Sequence, residues 1–231
     1  MKVIVTCGPS YEPIDEVRRL TNFSTGELGV LLSRELARAG CDVLCFKGSG
    51  ATAVGPEPPC RVSAFNTNDD LLALLSDAAA GGDVAAVFQV AALCDYRVRR
   101  VLDGQGADCA APKIASRAGA LTLQLEPATK VIAQLRQLFP QGRLVGWKYE
   151  LAGTRDEAIA RAQRQITEAR VDACVVNGRA FGPGFGVCRS GQPLTECTDK
   201  PQLVAHLVNW LLAVTSRPAT EAGTTGRATG S

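Results

Sequence analysis

Histidine is almost missing from this 231-residue chain, in which His206 stands alone. That excludes a multi-histidine metal centre and leaves any His-dependent triad to one residue. Aromatic residues make up only 5% and there is one Met, so the 46% apolar content falls on Ala, Val and Leu, which suits helices packed on a Val-rich sheet. None of the nine cysteines forms a C-x-x-C pair; with imidazole scarce as well, a zinc site is not expected. No apolar run reaches the roughly 18 residues needed to cross a bilayer. The start, Met1–Cys7, passes directly into a strand-like run and lacks the apolar core and cleavage site of a signal peptide. A surplus of one charge is missing too: 25 Lys and Arg face 23 Asp and Glu, so there is no basic footprint for nucleic acid. The expectation is a cytoplasmic protein with free, mostly buried thiols and neither nucleic-acid nor membrane partners.

What is present is α/β patterning. Val3–Cys7 predicts a buried strand, broken by Gly8-Pro9-Ser10, with a polar loop to Phe23. Ser24-Thr25-Gly26-Glu27 fits a capping box opening a helix that carries Leu28, Leu31, Leu32 and Leu36 and ends at Gly40. Strands follow at Asp42–Phe46, Arg61–Phe65 and Ala85–Ala91, with a helix from Thr67 to Gly81 before the last. Leu93–Ala118 loses regularity and carries Arg97, Arg99, Arg100 and Lys113; a loop that long is usually functional or mobile. Then come a strand at Leu121–Leu125, a helix at Thr129–Phe139, a strand at Leu144–Tyr149, a Thr154-x-x-Glu157 capping box with its helix, a strand at Ala173–Val176, a small hairpin around Ser190-Gly191, and a final amphipathic helix. His206 falls off the leucine face of that helix and is expected in solvent. The sum is one α/β domain over 1–215, Rossmann-like and three-layered, with a mostly parallel sheet and a small β-hairpin addition; the Gly/Thr-rich residues 216–231 read as a disordered tail. Ligands of such sheets bind beyond the carboxyl ends of the strands, which gathers Gly8–Ser24, Ala91–Lys113 and Asn177–Phe185 around one crevice. The helix opening at Ser24 would aim free amides at an anion there.

The opening block, with Thr6–Ser10, Glu12-Pro13-Ile14-Asp15, Arg18 and Thr21-Asn22-Phe23-Ser24-Thr25-Gly26 followed by Gly29, resembles the start of the phosphopantothenoylcysteine synthetase (phosphopantothenate–cysteine ligase) family, the C-terminal half of DNA/pantothenate metabolism flavoproteins. Val90–Tyr96, Pro112-Lys113-Ile114, Leu121–Ile132, Leu144–Lys148 and Val175–Asn177 resemble further family segments in the same order. The resemblance implies a homodimeric ligase of coenzyme A synthesis. It would join 4′-phosphopantothenate to cysteine through an acyl-nucleotidylate, using CTP or ATP with Mg²⁺. It implies no flavin, because the FMN-binding decarboxylase half to which the family is often fused is not part of these residues. Such chemistry needs positioning and charge neutralisation rather than a strong base, so scarce histidine is no obstacle.

By resemblance, Asn22 holds the acyl intermediate and Lys113 neutralises phosphate charge. Gly8, Gln89, Val90, Ala91, Asp95, Thr129, Lys130, Val131, Ile132 and Trp147 fall at nucleotide positions. Ser24, Thr25, Gly26, Asn22 and Asn177 fall at substrate positions, and no protein metal ligand is implied. Taken without the resemblance, Asn22 also suits an Asx turn, Lys113 a solvated loop, Asp95 a strand-end cap and Trp147 the core. The chain departs from the family pattern at Ala115-Ser116, where lysines are usual, and in Gln163–Ala169, which holds Arg164 but no lysine. It departs again at Gly178 after Asn177, and at Gln89, where a small residue or His is common. These leave the nucleotide open and keep a non-catalytic nucleotide-binding relative in view. An NAD(P)-dependent reductase is disfavoured, since Gly8 is followed by Pro9 rather than completing G-x-G-x-x-G, and no Tyr-x-x-x-Lys pair exists.

Overall fold

A computed structural model describes residues 1–117 and 119–215; the expected tail lies outside the described residues. The chain runs β1 (Lys2–Cys7), β2 (Tyr11–Pro13), β3 (Arg19–Thr21), α1 (Glu27–Arg38), β4 (Asp42–Gly48), β5 (Arg61–Phe65), α2 (Asn68–Ala80) and β6 (Val84–Gln89). It continues with β7 (Tyr96–Leu102), β8 (Thr122–Pro127), α3 (Val131–Leu138), β9 (Arg143–Tyr149), α4 (Arg155–Ala169), β10 (Ala173–Asn177), β11 (Phe185–Arg189), β12 (Thr195–Cys197) and α5 (Lys200–Thr215). Eight strands form one sheet in the order β12-β11-β10-β9-β6-β1-β4-β5. The pairings from β5 to β10 are parallel, and the β11–β12 hairpin is added antiparallel at one edge.

Strand alternation sorts the core into two sides. Ile4, Val87, Cys174 and Val176 meet Leu71 and Leu75 of α2, Val131 and Leu135 of α3, and Ala158, Ala162 and Ile166 of α4. Val3, Val5, Ala86, Phe88 and Val175 meet Leu32 and Leu36 of α1 and Leu203, Leu207 and Leu211 of α5. The central strands are covered on both faces, which is why they read as continuous apolar runs rather than alternating ones. This is the expected three-layer, Rossmann-like arrangement.

Three expectations need correction. Leu93–Ala118 is not irregular throughout. Tyr96–Leu102 forms β7 and pairs antiparallel with β8, so the predicted strand at Leu121–Leu125 joins a separate two-stranded arm, not the main sheet. Arg97 bonds Glu126, Arg99 lies 3.8 Å from the same carboxylate, and Arg100 bonds Asp108, so these arginines brace the arm while staying exposed. The polar loop before Phe23 holds a second small hairpin, β2–β3. His206 is half-buried on the side of α5 toward Arg189, with Nε2 unpartnered; burial and the nearby Arg189 push its pKa down.

At the opposite end from the site, Asp172 ties α3 to the sheet. Its carboxylate takes Arg136 at 2.7 Å, Arg143 at 2.9 Å and the Leu144 amide at 2.8 Å. Near the site, α1 crosses β1 with Gly29 against Cys7. A Cβ at Gly29 would stand 2.3 Å from the Cys7 Cβ. Gly29→Ala should therefore destabilise the protein by about 2 kcal/mol through overpacking, although alanine favours an isolated helix by up to ~1 kcal/mol. The urea midpoint at unchanged slope measures this, and a rise in midpoint would mean α1 can lift off β1 freely.

Candidate active site

The chain passes from β1 out to β4 and β5, then returns to β6 on the other side of β1. The crossover reverses there, and the carboxyl ends of β1, β6, β9 and β10 flank the gap. Past the strand ends, β1 and β6 stay laced: Ala92 N donates to Gly8 O at 2.9 Å, Ser10 N to Ala92 O at 3.2 Å, and Ala91 N to Thr6 Oγ1 at 3.1 Å.

Two cavities open here and share one lining residue, Trp147, whose side chain packs on the α1 and α5 face. Gln89, Ala91, Asp95, Thr129, Lys130, Val131 and Ile132 line the first, together with Asn68, Leu93, Cys94, Lys148 and Gln165. Gly8, Ser24, Thr25, Gly26, Val90 and Asn177 line the second, together with Phe23, Tyr149, Phe185 and Lys200. Gly8 and Val90, grouped by resemblance with the nucleotide residues, thus line the opposite cavity from Gln89 and Ala91. Lys113 is exposed and lines neither cavity. Asn22 is also exposed and lines neither cavity; its Nδ2 donates to the carbonyl of Leu93, a residue of the first cavity, at 2.8 Å.

Each cavity contains an unpartnered carboxamide. Gln89 is 5% exposed, yet neither its Oε1 nor its Nε2 has a hydrogen-bond partner, and the Asn177 Oδ1 is likewise buried without one. A buried unpaired polar group costs about 1–3 kcal/mol, so such positions mark groups for a ligand or bound water to satisfy.

A buried clamp holds the first cavity in shape. Ser10 Oγ donates to Asn68 Oδ1 at 2.7 Å and accepts the Cys94 amide at 2.8 Å. Asn68 Nδ2 donates to Cys94 O at 2.8 Å and Thr129 O at 3.0 Å. One side chain thereby joins the ends of β1 and β6 to the start of α3. The sequence offered no sign of it: Asn68 follows the Thr67 N-cap, where a polar residue is ordinarily solvated. Cys94 is buried against the clamp; burial pushes its thiol pKa up, which suits packing rather than nucleophilic attack.

The Ser24 capping box is not formed. The N-cap of α1 is Gly26 at φ 78, with no side-chain cap bond, and Thr25 Oγ1 accepts the Glu27 amide at 3.3 Å. The left-handed turn, which glycine enters without strain, brings the chain in at an angle that a Ser24 cap cannot serve. The start of α1, through Gly26–Gly29, is thereby part of the second cavity's wall. Lys200 Nζ lies 2.5 Å from Glu27 Oε2 on the same wall and is committed to that carboxylate; nothing in sequence linked residues 173 positions apart. The boxes at Thr67–Asp70 and Thr154–Glu157 are formed.

Basic charge gathers beside the first cavity. Lys130, Lys148, Arg161 and Arg164 surround a third recess that shares Lys130, Ile132, Lys148 and Gln165 with it. Arg161 is committed to Glu150 at 2.6 Å; among the described residues Lys130, Lys148 and Arg164 make no ion pair. Strand β9 and the approach to α3 therefore supply cations where α4 lacks lysine.

The pattern of the family described as DNA/pantothenate metabolism flavoprotein C-terminal domain matches residues 1–200. The chain belongs to this family, that of the phosphopantothenoylcysteine synthetases. It is 32% identical over 182 residues to the coenzyme A biosynthesis bifunctional protein CoaBC of Thermococcus kodakarensis, a match covering 78% of this chain and 42% of that protein. The chain thus spans well under two thirds of that relative. A solved DNA/pantothenate metabolism flavoprotein from Streptococcus pneumoniae superposes with a TM-score of 0.81 at 23% identity, covering 93% of this chain and 99% of that one. A mutant of Cab2 in complex with phosphopantothenate-cysteine superposes with a TM-score of 0.70 at 14% identity, covering 94% of this chain and 89% of that one. At these identities the structural matches establish the synthetase-family fold.

The clamp and the orphan amide make opposite predictions for the ligand-free protein. Asn68→Ala should cost about 2–3 kcal/mol, since it strands the Cys94 and Thr129 carbonyls. Gln89→Met, which removes two unpartnered polar atoms, should leave stability unchanged or raise it by about 1 kcal/mol. Denaturant unfolding of both variants checks this; a loss at Gln89 as large as at Asn68 would mean its amide is satisfied.

Proposed function

We propose that this chain is a phosphopantothenate–cysteine ligase that works through an acyl-nucleotidylate formed from CTP or ATP. The observation that carries the reading is the pair of cavities meeting at Trp147. One is flanked by Lys130, Lys148 and Arg164, as a nucleotide triphosphate requires. The other presents the amino-terminal end of α1, as an anionic acid substrate requires, with the Lys200–Glu27 pair on its wall. In this reading the carboxylate of 4′-phosphopantothenate attacks the α-phosphorus and pyrophosphate leaves. The amine of L-cysteine then attacks the acyl carbon, loses a proton, and the nucleoside monophosphate departs. Asn22 donates to the acyl oxygen, and Lys113 offsets phosphate charge. Asp95, Thr129 and Ile132 hold the nucleotide, with Gln89 at the base. Ser24, Thr25, Gly26 and Asn177 hold the acid.

Among the described residues no three His, Cys, Asp or Glu are grouped to bind a metal. That suits Mg²⁺ carried on the triphosphate, where it neutralises phosphate charge, with Asp95 as the nearby carboxylate. Among the described residues no helix is long and apolar enough to cross a membrane, in keeping with a cytoplasmic enzyme. We further propose that it works as a homodimer.

Purified protein should release pyrophosphate only when nucleotide, phosphopantothenate and Mg²⁺ are all present, and should form the amide when cysteine is added. Lys113→Ala should lower turnover about 100-fold or more, the loss seen when a charge-stabilising donor is removed. A second reading, a nucleotide-binding relative without turnover, draws on the missing lysines at Ala115-Ser116 and in α4. Thermal stabilisation by CTP or ATP without pyrophosphate release would select it; at 100 times Kd a ligand adds ~2.7 kcal/mol.

A further inference from the structure

The Glu12–Arg18 block carries the resemblance yet contains no residue that lines either cavity. Its turn reaches instead to a segment almost a hundred positions away. The Asp15 side chain is fully buried. Its Oδ1 accepts the amides of Val17 at 2.9 Å and Arg18 at 2.7 Å, while Oδ2 accepts the Ile114 amide at 3.1 Å. The Arg18 guanidinium bonds Oδ2 of Asp15 at 2.7 Å and sends both terminal nitrogens to the Ile114 carbonyl, each at 3.2 Å. Glu16 N donates to Pro112 O at 3.0 Å. Ile114 itself is 3% exposed. The chain is therefore gripped on both sides of Lys113, and the lysine alone of the three is exposed without a hydrogen bond among the described residues.

The chemistry of the grip is complementary. A carboxylate takes the N–H of Ile114 and a guanidinium takes its C=O, and the two are locked to each other by an ion pair. Backbone on both sides of one residue is thus fixed without using that residue's side chain. Hydrogen bonds to charged partners are the strong kind, and the two-pronged Arg geometry adds direction. The hydrogen bonds from the Val17, Ile114 and Arg18 amides and the Arg18 charge outweigh burial and hold the Asp15 carboxyl below its ordinary range, so the grip is fully formed at neutral pH.

We infer that Asp15 and Arg18 are positioning residues for Lys113, clasping the backbone at Pro112 and Ile114 so that the ammonium is presented to the phosphates of a nucleoside triphosphate. This rests on the ligase reading for the identity of the phosphates, but the clasp itself is testable without it.

Two measurements decide it. The first is limited trypsin digestion, read at the Lys113–Ile114 bond, whose N–H and flanking carbonyls the clasp holds. Arg18→Gln should speed that cut at least tenfold with cleavage at the arginines of α4 unchanged; an equal rate would overturn the clasp. Arg18→Lys keeps the charge without the fork and should behave like Arg18→Gln; wild-type protection in Arg18→Lys would overturn the two-pronged assignment. The second is a cycle of Mg-CTP and Mg-ATP affinities by calorimetry for wild type, Arg18→Gln, Lys113→Ala and the double variant. Arg18→Gln should weaken binding about tenfold in the wild-type background and hardly at all in Lys113→Ala. Equal losses in both backgrounds would show that Arg18 does not act through Lys113, and would leave the ligase reading standing. Failure of the wild type to bind either nucleotide would instead sink the ligase reading, and with it the task assigned to the lysine.

Discussion

The side-chain amide of Asn68 is the constraint on which the site depends. Parallel strands end where their hydrogen-bond ladder ends, and the chain beyond is ordinarily free to wander. Here the continuation of β1 at Ser10, the continuation of β6 at Cys94 and the approach to α3 at Thr129 all bond one carboxamide at 2.7–3.0 Å, directly or through the Ser10 hydroxyl. Asn68 is 3% exposed, so these bonds form away from water. Buried networks of this kind are rigid when fully satisfied. The first cavity inherits that rigidity, because Asp95 and Lys130 are each next to a residue in the network.

Around this rigid frame the charges are arranged without histidine. Among the described residues, cations without an ion pair arrive from two unrelated places, Lys130 before α3 and Lys148 on β9. Each sits on a regular element or its cap, which limits how far its ammonium can stray. Gln89 is of a different kind. It places an unpartnered donor and acceptor side by side in the first cavity, where a small residue would leave only backbone.

Most of the framework could be read from the sequence because it rests on local signals. Thr67 and Thr154 announce their helices through capping boxes, and the apolar runs at Val3–Cys7 and Ala173–Val176 mark doubly covered strands. The failures are equally instructive. Ser24 and Glu27 have the spacing of a cap, but the glycine between them takes a left-handed turn that no pattern of residue types discloses. Tyr96–Leu102 escaped notice because its arginines are satisfied by Glu126 and Asp108, partners 8 to 29 positions away. The gathering of candidate residues at the strand ends could be anticipated, yet their division between two cavities could not. Neighbours on a strand, such as Gln89 and Val90, point to opposite sides, and only the packing of α1 and α3 decides what each side meets.

Trp147 lines both cavities, and that has a thermodynamic consequence. Its side chain packs with Val90 and Phe185 on the face covered by α1 and α5, so what the two cavities share is a position on β9 rather than a free indole. An occupant that rigidifies this stretch of strand lowers the ordering cost left to an occupant of the other face. Linkage of that kind is reciprocal: whatever factor the first occupant contributes to the affinity of the second, the second returns to the first.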